Sequence, residues 1–308
     1  MMSVRPLKKK PAVSVVIPCY NAVQSIRETL EAVTGQTVHF SFEILVVDSS
    51  DDGTAELIRN GFPGVRLIHL PQRTLPGSGR NLGVREAAGD IVLFTDSDCV
   101  PQPGWLQGHY DAHQKHDCEA VGGSVINGYP RHYVAWTSHL LEFNEWTPRS
   151  RPGTIWNNPS CNLSLKREAF FRHRIEFTDN WPDEDTLFNW ELRRRGGRIF
   201  FDPALKVLHL NRMAFSKLFR HQFRLGKAVA VERRITDLPG RIFLKIPVLC
   251  LGIPLLRWLA ALVRLMRTDW ETTLIFIGVT PLWLCGACAW ALGFMAKGKE
   301  QDATLHIH

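Results

Sequence analysis

The sequence predicts an α/β protein with a doubly wound sheet, followed by helices that associate with a membrane. Two observations predict the sheet: apolar runs of strand length alternate with helical patterns, and the connections between them are short. The third observation is an uncharged apolar stretch at 272–296, long enough to cross a hydrocarbon core, which needs about 20 residues. We therefore expect a sheet domain followed by a membrane segment.

Strands and helices alternate through the first hundred residues. The run "VSVVIPCYNA" (13–22) predicts a buried strand, after which Asn21 caps a helix that ends at Gly35. A second strand ends at Asp48, and its helix closes near Gly61. The stretches "GVRLIHL", "GSGRNLGVREAAGD" and "IVLFTDSD" then predict a strand, a helix and a strand. Ligands of such sheets bind beyond the carboxyl ends of the strands.

The second half is less regular. The stretch "WPDEDTLFNWELRRRGG" predicts a helix with Pro182 in its first turn and acidic residues at its positive end. The stretch "RIFFDPALKVLHL" predicts two strands separated at Asp202 and Pro203. Residues 215–234 place phenylalanines on one helical face and basic residues on others. This pattern fits a membrane-surface helix or a core helix with a solvated face, and its position favours the membrane.

These patterns divide the chain into five parts. We predict a basic tail (1–11), an α/β sheet domain (12–212), an amphipathic interfacial helix (213–240), a membrane segment (241–296) and a second tail (297–308). Residues 242–263 form a first span or an interfacial helix. Lys297 and Lys299 follow the apolar stretch and favour a cytosolic end, which predicts a two-span hairpin over one span with an interfacial helix.

Charge and cysteine content limit the function classes. The formal net charge of +7 suits an anionic substrate, nucleic acid or an anionic membrane surface. The seven cysteines are odd in number and widely spread, so they indicate neither a disulfide framework nor a zinc site. We therefore expect a reducing, cytosol-facing environment.

Two carboxylates, Asp96 and Asp98, follow the strand "IVLF" with one residue between them. Like charges this close raise each other's pKa unless a cation lies between them. Carboxylate oxygens and phosphate oxygens suit Mg²⁺ or Mn²⁺, so the pair predicts a metal site that holds a diphosphate. The alternative is a turn with capping aspartates.

Three further features accompany the carboxylate pair. Asp48 ends an upstream strand beside "PCYN", where it could contact a base and its ribose or simply belong to a turn. Arg80 lies in the flexible stretch "GSGRN" just before the strand. Residues 183–185 are all acidic and crowd the start of a helix; capping explains one acid, and the others suggest a general base.

Together the motifs resemble the inverting family 2 glycosyltransferases of the GT-A fold, a Rossmann-like doubly wound mixed sheet. The resemblance covers about residues 12–210 and rests on "VSVVIPCYNA", "ILVVDSSDDGT", "GRNLGVREAAGDIVLFTDSD", "NLSLKREAF" and "WPDEDTLFNWELRRRGGRIFFDPALKVLHL". It implies donor-binding residues at Pro18, Tyr20, Asn21, Asp48, Asp52 (or its neighbour Asp51), Arg80, Asn81 and Asp96. It implies metal ligands at Asp96 and Asp98, and an acidic pair, Glu184 and Asp185, with Asp185 as the base. His209 is either a further metal contact or a core histidine.

The resemblance also implies partners and a location. The donor is a nucleotide-diphosphate sugar, the acceptor is a hydroxyl on a glycan or a lipid-linked molecule, and the cofactor is Mg²⁺ or Mn²⁺. We expect contact with membrane lipids, no nucleic acid partner, and a catalytic domain on the cytosolic face of the cell (inner) membrane. Five tryptophans are candidates to stack on an acceptor sugar, to meet lipid headgroups or simply to pack: Trp136, Trp146, Trp156, Trp181 and Trp190.

Two other functions fit parts of the sequence. An apolar strand followed by D-x-D also matches haloacid-dehalogenase phosphohydrolases, in which Asp96 would be the nucleophile and Asp98 the acid. A non-catalytic, membrane-tethered sugar-binding domain is the third candidate. The nucleotide-pocket units before the pair and the acids at 183–185 favour the glycosyltransferase.

Overall fold

The structure, a computed structural model, describes residues 10–296. The strands are β1 Val13–Cys19, β2 Phe42–Asp48, β3 Arg66–His69, β4 Ile91–Phe94, β5 Cys99–Pro101, β6 Ala120–Asn127, β7 Gly153–Ile155, β8 Leu163–Lys166 and β9 Ile199–His209. The helices are α1 Ile26–Thr34, α2 Thr54–Gly61, α3 Pro76–Glu86, α4 Trp105–Lys115, α5 Tyr133–Glu142, α6 Arg167–Arg172, α7 Glu184–Arg194, α8 Phe215–Ile235, α9 Arg241–Lys245, α10 Ile253–Thr268 and α11 Trp270–Met295.

The strands form one mixed sheet in the order β3-β2-β1-β4-β8-β6-β9-β5, with β7 paired to β9. The first four strands in this order are parallel, as the alternation of strands and helices predicts. β8 is antiparallel to β4 and β6, and β9 is parallel to β6 and antiparallel to β5. The doubly wound mixed sheet is therefore confirmed.

Three local predictions were wrong. β9 continues through Asp202 and Pro203 as one strand, because a register shift opposite β6, between Gly123 and Ser124, accommodates the proline. α1 begins at Ile26, so Asn21 does not cap it; Asn21 instead has a positive φ of 50° in the turn after β1. α7 begins at Glu184, after Pro182.

Helices cover both faces of the sheet and bury its apolar side chains. On one face, Ile17 of β1 packs with the α1 helix, and on the other Val16 packs with α3 and α7. α3 lies very close to β1: a Cβ atom on Gly83 would stand 2.2 Å from Cγ1 of Val16. This close approach explains why α3 has a glycine at position 83.

The C-terminal helices pack against the sheet domain (residues 12–212). α11 lies along α8 and also contacts α5 and α10. Its backbone meets that of α8, since a Cβ on Gly226 would stand 2.0 Å from the carbonyl oxygen of Trp290. Of the predicted apolar face of α8, Phe215 and Phe223 are exposed, while Phe219 packs against the cluster around α11.

By length and composition alone, two helices are able to cross a membrane: Pro247–Thr268 and Trp270–Met295. Arg264 and Arg267 belong to α10, and Asp269 alone separates α10 from α11. Ion pairs join this turn to the sheet domain, at 2.9 Å between Arg264 and Glu145 and at 3.3 Å between Arg149 and Asp269. The turn therefore lies beside the sheet domain.

Candidate active site

The predicted site residues meet at one edge of the sheet. Asp48 is the last residue of β2, and Asp96 follows β4 by two residues. Because β1, β2 and β4 are parallel, their carboxyl ends lie side by side. The antiparallel pairing of β5 and β9 places His209 opposite Cys99, and so next to Asp98. The topology thus gathers residues from distant parts of the chain.

Asp48 is fully buried, and its two carboxylate oxygens accept hydrogen bonds from its own loop and from β3. Oδ1 accepts from the backbone N–H and the hydroxyl of Ser50, the former at 3.2 Å, and Oδ2 lies 2.7 Å from Nδ1 of His69. Nearby, Tyr20 is 39% exposed, and the guanidinium of Arg73 lies 4.7 Å from its ring centre. His69 and Arg73 were not predicted; the position of β3 beside β2 reveals them.

The turn after β1 is tied to the loop after β2. Asn21 donates its backbone N–H to the hydroxyl of Ser50 at 2.7 Å, and its Oδ1 accepts from the backbone N–H of Asp51 at 3.1 Å. Asp52 accepts from the backbone N–H of Val23 at 3.3 Å. Burial opposes ionisation of Asp52, yet its hydrogen bonds from Thr54 and Val23 lower its pKa. Pro18 lies buried in β1 just before this turn.

Arg80 joins two acids that are far apart in the sequence. Its side chain is 2% exposed, and it donates to Asp96 at 2.5 Å and to Glu184 at 2.8 Å. Burial opposes its charge, but Asp96 and Glu184 raise its pKa further above its already high ordinary value. Arg80 therefore remains a cation between the carboxylate pair and the start of α7.

Asn81, the neighbour of Arg80 that was predicted to bind the donor, forms hydrogen bonds with the segment before α7. It is buried, its Nδ2 donates to the carbonyl of Phe177 at 2.8 Å, and its Oδ1 accepts from the N–H of Phe177 at 2.9 Å. These bonds fix the chain before α7 against α3. We therefore leave Asn81 out of the proposed donor site.

The two carboxylates of the D-x-D motif face different partners. Asp96 faces Arg80, whereas Oδ1 of Asp98 lies 3.9 Å from Nε2 of His209. Asp98, Cys99 and His209 offer ligand atoms within 4.8 Å of one another. Burial raises the pKa of the Cys99 thiol, and thiolates suit softer metals than Mg²⁺ or Mn²⁺, which leaves the carboxylate and the imidazole as the better candidate ligands. The carboxylate oxygen suits Mg²⁺ or Mn²⁺, whereas an imidazole nitrogen is a ligand that Mg²⁺ rarely takes.

The acids at the start of α7 differ in exposure. Glu184 is buried against Arg80, and burial raises its pKa to about 7 although Arg80 opposes this. Asp185 is half-buried, and its Oδ2 accepts from the N–H of Ser160 at 3.2 Å. Burial also raises the pKa of Asp185, with Arg80 opposing. Asp185 is thus the more accessible acid, and its proton affinity is raised.

A groove of about 580 Å³ connects these groups to the C-terminal helices. Its lining includes the charged and polar residues Arg80, Asp96, Glu184, Asp185 and His209, together with the aromatic rings of Trp146, Trp156 and Trp181. Residues of α8, α9, α10 and α11 complete the lining. Of the five tryptophans singled out in the sequence, these three lie where an acceptor could meet them.

Comparison with known proteins identifies the family. A profile described as "Glycosyl transferase family 2" matches residues 14–173. Glycosyltransferase AglE of Haloferax volcanii is 36% identical over 232 residues, which cover 70% of this chain and 72% of AglE. The chain belongs to glycosyltransferase family 2. Glycosyltransferase GlyG of Streptococcus pneumoniae serotype 4 is also similar, at 29% identity over 236 residues, 71% of this chain and 73% of GlyG.

Solved structures share the fold of this glycosyltransferase. A mannosyltransferase of Pyrobaculum calidifontis, in complex with GDP-Man and Mn²⁺, has a TM-score of 0.62 at 20% identity, over 95% of this chain and 89% of that chain. Residues 1–349 of S. aureus TarS, in complex with UDP-GlcNAc, have a TM-score of 0.57 at 18% identity, over 92% of this chain and 89% of that chain. The GT-A fold is therefore confirmed. The comparisons give no support to a phosphohydrolase.

The Arg80 bridge makes a prediction about stability. We expect Arg80→Gln to lower the free energy of unfolding by about 3 to 5 kcal/mol, because it leaves two acids close together with one of them buried and unpaired. The matched control is Arg85→Gln on the exposed face of α3, whose ion pair with Glu176 is solvated, so we expect a change of at most about 1 kcal/mol. Denaturant unfolding of the purified chain measures both; equal effects of the two substitutions would contradict the structural role of the bridge.

Proposed function

We propose that this family 2 enzyme transfers a sugar from a nucleotide-diphosphate sugar to an acceptor hydroxyl, with inversion and with the help of a divalent metal ion. The observation that supports this most is the arrangement around Arg80, which keeps Asp96 beside the acids of α7 at one end of a groove. The structural neighbours named above were solved with GDP-Man and Mn²⁺ or with UDP-GlcNAc. This supports a donor of the same chemical class.

We assign the donor to the carboxyl ends of β1, β2 and β4. Its nucleoside would contact the turn after β1 and the loop after β2, through Pro18, Tyr20, Asn21, Asp48 and Asp52. Arg73, stacked on the exposed ring of Tyr20, adds a cation at the same edge. Arg80 acts on the diphosphate through Asp96, whose carboxylate it holds.

We assign the metal ion to Asp98 and His209, with Asp96 nearby. When bound, Mg²⁺ or Mn²⁺ would offset the negative charge that develops on the departing diphosphate. The pairing of β5 with β9 fixes the position of His209, and the ring of Phe143 packs on the His209 ring with centres 5.0 Å apart. The core-histidine alternative is weakened by the proximity of its Nε2 to Asp98.

We assign the role of general base to Asp185. Its carboxylate accepts the proton of the acceptor hydroxyl as that oxygen attacks the anomeric carbon; the bond from this carbon to the diphosphate oxygen breaks, and its electron pair leaves with the diphosphate. Attack and departure on opposite faces invert the anomeric centre, so no covalent intermediate is needed. Glu184 remains paired with Arg80 and keeps the start of α7 beside Asp96.

The first test is the activity itself. We expect the purified chain to hydrolyse at least one member of a panel of nucleotide sugars slowly, with Mn²⁺ or Mg²⁺ present, and to lose this activity in EDTA. Asp98→Asn should reduce it on the order of 100-fold, because it removes a ligand of the ion that stabilises the leaving group. Asp111→Asn, on the exposed side of α4, serves as the control. Full activity in EDTA would contradict the metal-dependent proposal.

The second test is the pH dependence of transfer. A general base accepts a proton only when it is ionised. Because the pKa of Asp185 is raised, we expect the transfer rate to fall at a higher pH, as the solution is acidified, than it would with an aspartate of ordinary pKa. Since Asp185 and Glu184 interact, the apparent pKa belongs to the pair. Asp185→Asn should abolish transfer yet leave donor affinity within about threefold, measured by calorimetry. Loss of donor binding in this variant would show that the assignment is wrong.

We also propose that the enzyme works at the cytosolic face of a membrane. Nucleotide sugars are made in the cytosol, and the cysteines of the described part of the chain are all free. Exposed apolar residues run along both C-terminal helices: Leu255, Leu259, Val263 and Met266 on α10, and Trp270, Leu274, Ile277 and Leu292 on α11. Length and composition allow both helices to span, whereas the ion pairs of their turn favour helices that lie along the membrane surface.

Cysteine labelling distinguishes these arrangements. In a cysteine-free chain in sealed vesicles with the cytosolic face inside, we expect Arg267→Cys to be protected from an impermeant reagent added outside, because α10 and α11 stay beside the sheet domain. Labelling at this position with protection at Ala303→Cys, in the tail outside the described residues, would instead show the predicted two-span hairpin. Labelling at Ala303→Cys alone would show a single span.

A further inference from the structure

We propose that the acceptor is carried on a lipid phosphate and that Arg257 binds this phosphate in the groove between α8 and α10. The inference rests on the proposed function, because it gives a substrate class to the acceptor end of the same groove. Arg257 has no part in the transfer mechanism described above.

The groove is lined by both charged and apolar side chains. The C-terminal helices contribute the charged His221, Glu232 and Arg233 of α8. They also contribute a larger apolar set: Leu225 and Val229 of α8, Phe243 of α9, Ile253, Leu256 and Ala260 of α10, and Trp290 and Phe294 of α11. The small C–H faces of a sugar cannot cover this apolar set, so the lining indicates an acceptor with a long apolar part.

Arg257 differs from the other cations that line the groove. Arg80, His209, Arg212, His221 and Arg233 each lie within ion-pair distance of a carboxylate. Among the described residues, Arg257 forms no ion pair. Its Nη2 donates to the carbonyl of Leu141 at 3.2 Å, whereas its Nη1 is buried without a hydrogen-bond partner. A buried guanidinium nitrogen without a partner is costly, which indicates an anion that binds there.

The neighbouring carboxylates do not supply that anion. Glu142 is taken by Arg212 and His221, both at 3.2 Å, and Glu145 by Arg264 at 2.9 Å. The guanidinium of Arg257 lies 4.7 Å from the ring centre of Trp290, which holds it against α11. Its planar fork of N–H donors matches phosphate oxygens. A phosphate therefore fits the charge and the shape of this position.

The apolar end of the groove is continuous with the surface that we assign to the membrane. Leu256 lines the groove and is also 56% exposed, and the adjacent Leu255 is 58% exposed. A cation in an apolar groove beside the membrane surface is costly unless an anion pairs with it. A lipid phosphate would match both the apolar lining and the cation: its chain would extend along Leu256 into the membrane, and its phosphate would bind Arg257. The sugar linked to this phosphate would share the groove with Asp185, which also lines it.

Binding of farnesyl phosphate tests the inference. The full-length enzyme is placed in phosphatidylcholine nanodiscs, and the dissociation constant is measured from tryptophan fluorescence. We expect Arg257→Gln to weaken farnesyl phosphate binding about tenfold or more, Arg257→Lys to weaken it less, and farnesol binding to stay unchanged. Arg267→Gln removes the same charge from the exposed side of α10 and should leave the dissociation constant unchanged.

Three results would overturn the inference. The first is equal affinity for farnesyl phosphate in wild type and Arg257→Gln. The second is displacement of farnesyl phosphate by an equal concentration of inorganic phosphate, and the third is such displacement by phosphatidylglycerol in the nanodisc. The second indicates a free-phosphate site and the third a bulk lipid headgroup site. Slow donor hydrolysis should persist in Arg257→Gln, which shows that the variant folds. Asp98→Asn should lose donor hydrolysis and keep farnesyl phosphate binding, so a failure of the proposed transfer reaction is separable from a failure of lipid recognition.

Discussion

The active site depends on one buried cation, Arg80. It holds Asp96 and Glu184 together, although α7 lies about a hundred residues beyond α3. Without a cation between them, acids this close would repel each other, and burial would drive a proton onto one of them. The bonds of the adjacent Asn81 to Phe177 and the close packing of α3 on β1 at Gly83 fix the position from which Arg80 reaches both acids.

Local patterns predicted much of this protein. Strand periodicity located β1, β2, β3 and β4, and the run of acids marked the start of α7, because these signals lie in neighbouring residues. The pairing of β8 between β4 and β6, the continuity of β9 through Pro203 and the partners of Arg80 depend on contacts between distant segments. His209 illustrates the difference: its sequence position suggested a metal contact or a core residue, and the pairing of β5 with β9 sets it beside Asp98.

The C-terminal helices were predicted by hydropathy, but hydropathy does not determine their packing. Glycines on α8 and α11 bring the two backbones together, and Arg264 and Asp269 join the turn between α10 and α11 to the sheet domain. As a result the groove that contains Asp185 is also lined by apolar side chains of the same helices that we assign to the membrane. The acids of α7 and these apolar side chains thus line one cavity.

A double-mutant cycle tests the central claim, that Arg80 couples the donor half of the site to α7. The free energies of unfolding and kcat/KM are measured for Arg80→Gln, for Glu184→Gln and for the double variant. Because the second substitution removes a carboxyl that the first leaves unpaired, the account predicts a double variant less impaired than the sum of the single variants, by about 1 to 3 kcal/mol. Additivity within about 0.5 kcal/mol in both measurements would contradict it.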